Sequence, residues 1–159
     1  MKTARDVMHT DVITVTPTDS IAEVAQTLSE NGISGAPVVD VNGTLRGILS
    51  RADVLNHALQ INCEATHPVI SILIPGTARE DEVYRPKRGL DTLPEAQDLM
   101  SGEVIAVEPV VPLQDVAQLM NRERIHRVPV VEDGKLVGII TSLDLLGSFP
   151  GPFVTAPPS

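Results

Sequence analysis

The apolar positions of the chain follow one pattern twice, and each pass predicts the same short series of elements. Val12, Ile13 and Val15 make a β-branched run that stops at Thr16-Pro17, and Val104, Ile105 and Val107 make its counterpart before Glu108-Pro109. Branched side chains suit a pleated surface and proline cannot donate to a sheet, so each run predicts a strand that ends there. Ile21, Val24, Ala25 and Leu28 then fall at i, i+3, i+4 and i+7, one face of a helix, with Ser20 and Glu23 spaced as a capping box. Leu113, Val116, Ala117 and Met120 repeat that face. Gly32 stands where the first helix should end, because glycine takes the left-handed conformation freely; the second copy has Arg124 there and must stop by other means.

Two further apolar runs, Ala36 to Val41 and Leu45 to Ser50, are joined by Asn42-Gly43, and the second copy uses Asp133-Gly134. Both dipeptides predict tight hairpins in which the two central residues take positive φ. A last helix follows, with Ser50 and Thr141 as candidate N-caps and Asp53 and Asp144 three residues on. Each copy therefore reads β-α-β-β-α.

The copies match residue for residue. Asp6-Val7-Met8 returns as Asp98-Leu99-Met100, Val24-Ala25-Gln26 as Val116-Ala117-Gln118, and Pro37-Val38-Val39 as Pro129-Val130-Val131, all at an offset of 92; one residue is then dropped and Gly47-Ile48 and Asp53 recur as Gly138-Ile139 and Asp144. A unit of roughly 50 residues buries too little surface to stand alone comfortably. The expected fold is α+β, with two repeats packed as one pseudo-twofold module. Residues 1–56 are the first repeat, 57–96 an inter-repeat helix and flexible linker, 97–147 the second repeat, and 148–159 a disordered tail.

Composition narrows the function. Twelve Lys and Arg against twenty-one Asp and Glu give a net charge of −9, so no positive field draws in nucleic acid. Tyr84, Phe149 and Phe153 are too few aromatics for a single-strand stacking platform. The lone cysteine, Cys63, excludes an intrachain disulfide and a cysteine-rich zinc site. The start of the chain lacks the apolar core of a signal peptide, and no apolar run approaches the ~18 residues of a membrane span, so a cytoplasmic protein without membrane contact is expected. Cys63 and His67 lie four apart but read as bystanders, and His9, His57, His67 and His126 lack metal-ligand spacing. Catalytic residues, metal and cofactor are all expected to be none.

Asp6-Val7-Met8, Pro37-Val38-Val39-Asp40, Gly47-Ile48-Leu49-Ser50-Arg51-Ala52-Asp53 and their second-copy equivalents, among them His126-Arg127-Val128-Pro129 and Thr141-Ser142-Leu143-Asp144, resemble a tandem pair of CBS domains, a Bateman module. The resemblance covers residues 5–56 and 97–147. It implies a regulatory module, not an enzyme, that binds an adenine nucleotide or S-adenosylmethionine in a cleft between the repeats, forms a homodimer, and signals by a change of shape to an effector protein that remains unknown. It assigns ribose and phosphate contacts to Ser50 with Asp53 and to Thr141 with Asp144. The pocket is completed by Thr14 with Ser34, Gly35, Ala36 and Pro37 in one copy, and by Ala106 with His126, Arg127, Val128 and Pro129 in the other.

Two plainer readings stand beside this one. Ser-x-x-Asp and Thr-x-x-Asp are also ordinary capping boxes that need no ligand. His126-Arg127, which replaces Ser34-Gly35 of the first copy, suits phosphate but equally suits a solvated strand entry. Ala106 lacks the hydroxyl of Thr14, so the two sites need not bind alike. The alternative function is a CBS-pair scaffold for dimerisation that has lost its ligand.

Overall fold

The computed structural model describes residues 1–60, 69, 72, 73 and 94–148. Most of the expected 57–96 segment (61–68, 70, 71 and 74–93), the tail beyond Ser148 and the Cys63–His67 pair lie outside the described residues. Elements are numbered over those described: α1 (Ala4–Val7), α2 (Ile21–Glu30), β1 (Gly35–Val39), β2 (Leu45–Ser50), α3 (Arg51–Gln60), α4 (Ala96–Leu99), α5 (Leu113–Glu123), β3 (Arg127–Glu132), β4 (Lys135–Thr141) and α6 (Ser142–Ser148). The mixed helix and strand content and the two antiparallel hairpins, β1–β2 and β3–β4, are those the sequence predicts.

The chain forms two units, and neither coincides with a repeat. One runs from Ile13 to Val104, and the other joins Met1–Val12 to the chain from Ile105 onward. We call them the N-repeat and C-repeat units. Each Asp-x-Met segment therefore packs on the repeat it does not precede. Ala4 and Arg5 donate to the carbonyls of Val111 (2.8 Å) and Pro109 (2.9 Å), while Ala96 and Gln97 donate to those of Asp19 (2.8 Å) and Pro17 (2.9 Å). Asp6 and Asp98 start these short helices by accepting the N–H of Thr3 (2.7 Å) and of Glu95 (2.9 Å). The methionines then close on glycines. A Cβ placed on Gly138 would lie 2.6 Å from the Met8 sulfur, and one on Gly47 would lie 2.6 Å from the Met100 sulfur and 2.8 Å from the Ser101 carbonyl oxygen. These two contacts account for the glycines of both Gly-Ile pairs.

The helix faces read from spacing are the faces that are buried. Ile21, Val24, Ala25 and Leu28 pack with Val38, Leu49 and Val54 in the N-repeat unit, joined by Val69 and Leu73; Leu113, Val116 and Met120 pack with Val128, Val130 and Ile140 in the C-repeat unit. Each large aliphatic side chain so buried contributes about 1.5–3 kcal/mol. The capping box of α2 is formed, with Glu23 N–H donating to Ser20 Oγ (3.3 Å) and Ser20 N–H to Glu23 Oε2 (2.7 Å). Helix α5 ends as α2 does. Arg124 takes the left-handed conformation (φ 54) that Gly32 (φ 60) takes in the first copy, and the next N–H closes on the helix in both, Ile33 to Leu28 and Ile125 to Met120, each at 3.0 Å.

Two expectations are corrected. The strands predicted over 12–15 and 104–107 shrink to single parallel bridges, Val15 with Val38 and Val107 with Val130. Immediately afterward the Thr16 N–H donates to Asp19 Oδ2 (2.8 Å), and in the other copy Val111 donates to the Glu108 carbonyl (3.1 Å), so a turn bends the chain off the sheet before a ladder can extend. The hairpins also differ. Asp133 (φ 51) and Gly134 (φ 78) form the expected two-residue turn, whereas in the first copy only Gly43 (φ 81) has positive φ. There the Asp40 side chain organises a longer loop, accepting the N–H groups of Asn42 (2.9 Å) and Thr44 (3.0 Å). The residue dropped between the copies is this loop residue. The last helix also runs through Gly147 and Ser148, one residue into the segment expected as tail.

Candidate functional site

Each copy gathers its predicted residues at one end of its hairpin. In the N-repeat unit Gly35 pairs across the sheet with Ser50, and the Arg51 N–H at the start of α3 donates to the Ser34 carbonyl (2.8 Å). In the C-repeat unit Arg127 pairs with Thr141, and the Ser142 N–H donates to the His126 carbonyl (2.9 Å). Positions 34–35 and 126–127 thus sit against the hydroxyl–carboxylate pairs Ser50–Asp53 and Thr141–Asp144. Thr14 and Ala106 lie just before the bridge residues on the far side of β1 and β3, and both are exposed. The side chains of Ala36, Pro37, Val128 and Pro129 are buried, so only their backbone is on offer at the site.

The hydroxyl–carboxylate pairs are built as caps. Asp53 Oδ2 accepts the N–H (2.8 Å) and the hydroxyl (2.7 Å) of Ser50, whose Oγ accepts the Asp53 N–H (3.1 Å). Asp144 Oδ2 likewise accepts the N–H and hydroxyl of Thr141, both at 2.7 Å. In each carboxylate one oxygen is committed to the cap, which leaves Oδ1 for any other donor. Here the copies part. Among the described residues Asp53 Oδ1 meets no donor, but Asp144 Oδ1 lies 2.8 Å from His9 Nε2. A carboxylate only accepts, so Nε2 carries the hydrogen and donates.

Sequence reasoning missed His9, taking it for one of four scattered histidines. The signal was in the repeat. His9 follows Asp6-Val7-Met8 as Ser101 follows Asp98-Leu99-Met100, and the structure keeps the equivalence: His9 exchanges backbone hydrogen bonds with Ile139 (2.9 and 3.0 Å), Ser101 with Ile48 (2.9 and 3.1 Å). The serine side chain is too short to repeat the reach of the imidazole.

Electrostatics mark the second copy. Arg127 is half-buried, and desolvation lowers its pKa from the ordinary guanidinium value while leaving it charged at neutral pH. Burial pushes the Asp144 carboxyl up, but hydrogen bonds from the Thr141 N–H and hydroxyl and from His9 outweigh it and hold the carboxyl below the usual aspartate range. A folded-state pKa below the unfolded ~3.9 contributes stability that is complete above that value and lost as pH falls through the folded one. Between pH 5 and pH 2.5 the melting temperature of the native chain should therefore fall more steeply than that of Asp144→Asn. Parallel slopes would remove the linkage.

Among the described residues no three His, Cys, Asp or Glu side chains group as a metal site, and no helix is long and apolar enough to cross a membrane.

The hairpin, the flanking helices and the capped carboxylate, present twice, define a two-repeat module. The CBS domain profile matches residues 4–60 and 96–151, and the chain belongs to the CBS domain family. An uncharacterised protein of Methanocaldococcus jannaschii, MJ1426, is 34% identical over 150 residues, which are 89% of this chain and 88% of that one. The crystal structure of CBSX2 in complex with AMP is similar at 27% identity and a TM-score of 0.68, covering 92% of this chain and 95% of that one. The CBS domain pair of MJ0100 in complex with 5′-methylthioadenosine and S-adenosyl-L-methionine is 26% identical with a TM-score of 0.67, covering 92% and 94%.

Proposed function

We propose that this CBS pair is a regulatory sensor that binds an adenosyl compound and passes a change of conformation or dimer geometry to an effector protein. The observation that carries the reading is the presence in both copies of a capped carboxylate with one oxygen turned from the cap, beside residues 34–35 or 126–127. A carboxylate oxygen accepts a ribose hydroxyl, and a charged acceptor makes that bond strong. In the N-repeat unit the ten-residue helix α3 adds N–H groups and the positive end of its dipole for a phosphate. In the C-repeat unit Arg127 would meet phosphate, Thr141 would assist it, and Asp144 would hold ribose. That AMP, S-adenosyl-L-methionine and 5′-methylthioadenosine occupy structurally similar CBS pairs supports the class of ligand.

Sensing requires the ligand to bind one arrangement of the protein more tightly than another. For self-association, Leu143 and Leu146 are 75% and 64% exposed on α6, an apolar surface suited to a second copy of the chain. The test is calorimetric titration with AMP, ADP, ATP and S-adenosylmethionine, paired with thermal melts and with sedimentation equilibrium, which should return twice the chain mass. A ligand specific to the native state adds about 2.7 kcal/mol at a hundredfold excess over Kd, so saturable heat and a raised melting temperature should appear together. Silence from all four, with the protein folded and dimeric, would favour the ligand-free scaffold; a monomer would remove the dimer.

A further inference from the structure

The two carboxylates that the adenosyl-binding reading uses are not equally available. In both copies Oδ2 is spent on the cap, so a ribose diol must be taken by Oδ1. That oxygen of Asp53 meets no donor among the described residues, whereas that of Asp144 already accepts the His9 Nε2–H at 2.8 Å. His9 is placed there by its backbone, bridged to Ile139 on the edge of β4. Its side chain is nevertheless 65% exposed while that of Asp144 is only 17% exposed, so the imidazole lies over the carboxylate from the solvent side. It can swing away without disturbing the bridge. In the first copy the equivalent bridge residue is Ser101, and among the described residues nothing covers Asp53 in the same way.

We propose that His9 is an internal competitor for the ribose hydroxyls at Asp144, which weakens every diol-bearing adenosyl ligand at the C-repeat half-site, so that tight binding there needs a phosphate contact as well as the ribose. A nucleoside must displace the imidazole to reach Oδ1, and the contact it gains replaces one it breaks. A nucleotide can offset that loss through its phosphate and Arg127, which the first copy does not have, since Gly35 holds the equivalent place. Among the described residues the N-repeat half-site holds no such competitor, so there Asp53 Oδ1 would accept the diol directly. The proposal rests on the reading of Asp144 as a ribose acceptor.

The experiment titrates the full chain with adenosine, in an Asp53→Ala background that leaves Asp144 as the ribose acceptor. His9→Ser, which copies the residue of the other repeat, should tighten adenosine binding roughly two- to tenfold, the fold-change that corresponds to removing one competing hydrogen bond. It should leave the affinity for 2′,3′-dideoxyadenosine unchanged, because that compound has no diol to compete. Melting at the parent temperature verifies folding, and His9→Asn is the second variant if serine disturbs the bridge. Unchanged or weaker adenosine binding on removal of His9, or an equal gain for the dideoxy compound, overturns the competitor. Asp53→Ala protein that binds adenosine no differently when Asp144→Ala is added defeats the ribose-acceptor reading itself, and with it the competitor, an outcome distinct from the first.

Discussion

Gly47→Val should cost the protein ~3 kcal/mol, the upper end of what overpacking a filled site usually costs. A Cβ at this position falls 2.6 Å from the Met100 sulfur and 2.8 Å from the carbonyl oxygen of Ser101. The thioether can rotate aside, but the carbonyl belongs to backbone that is bonded twice to Ile48, through Ser101 N–H (2.9 Å) and Ile48 N–H (3.1 Å). Relief therefore means breaking the seat of the Asp-Leu-Met segment. At about 2–4 °C per kcal/mol for a chain of this length, the melting temperature should drop by roughly 6–12 °C. The matching Gly138→Val should cost less, because the atoms its Cβ meets, the sulfur, Cγ and Cβ of Met8, all belong to a side chain. Gly102→Val, with nothing within 4 Å of its Cβ, is the control and should melt within a degree or two of the parent. Equal losses at 47 and 138 would show that the Ser101 backbone is not the obstacle.

Replacing Asp53 or Asp144 by alanine should separate the two roles of the capped carboxylates. Each variant loses the half of the capping box that the carboxylate supplies, its bonds to the Ser50 or Thr141 N–H and hydroxyl, which costs about 0.5–1.5 kcal/mol and lowers the melting temperature with or without ligand. Each should also weaken adenosyl binding at its own half-site at least tenfold, since a hydrogen bond to a charged acceptor is worth about 1.5–3 kcal/mol. The rise in melting temperature on adding ligand should shrink accordingly. Ser50→Ala and Thr141→Ala remove the hydroxyl but keep the carboxylate, so they should share the stability loss and keep most of the affinity. Variants Asp53→Ala and Asp144→Ala that melt lower yet bind AMP as the parent does would identify the pairs as caps alone, and the scaffold as the function.

The spacing of Ile21, Val24, Ala25 and Leu28, the Ser20–Glu23 box and the Asp133-Gly134 turn were readable because each is local. The chemistry of a few neighbouring residues decides them, and the structure shows all three in place. The strand over 12–15 was misread for the converse reason. A β-branched run marks a surface that suits a sheet, but the length of a ladder depends on how long its partner stays alongside, and the Thr16–Asp19 turn takes the chain away after one bridge. Asn42-Gly43 looked like a two-residue turn, and the side chain of Asp40 made it a longer one.

By itself the sequence determined the duplication, the order of helix, hairpin and last helix within each copy, the buried helix faces and the pairing of a hydroxyl with a carboxylate at the start of each last helix. Periodicity and short-range hydrogen bonding act within a few residues and so are written in the order of the chain. Only the tertiary structure decided that each Asp-x-Met segment packs on the repeat it does not precede, that Gly47 and Gly138 are glycines because methionines close on them, and that His9 reaches Asp144 across 135 positions of sequence. The free energy of such contacts depends on distance in space, and no local pattern records which residues the fold will bring within reach.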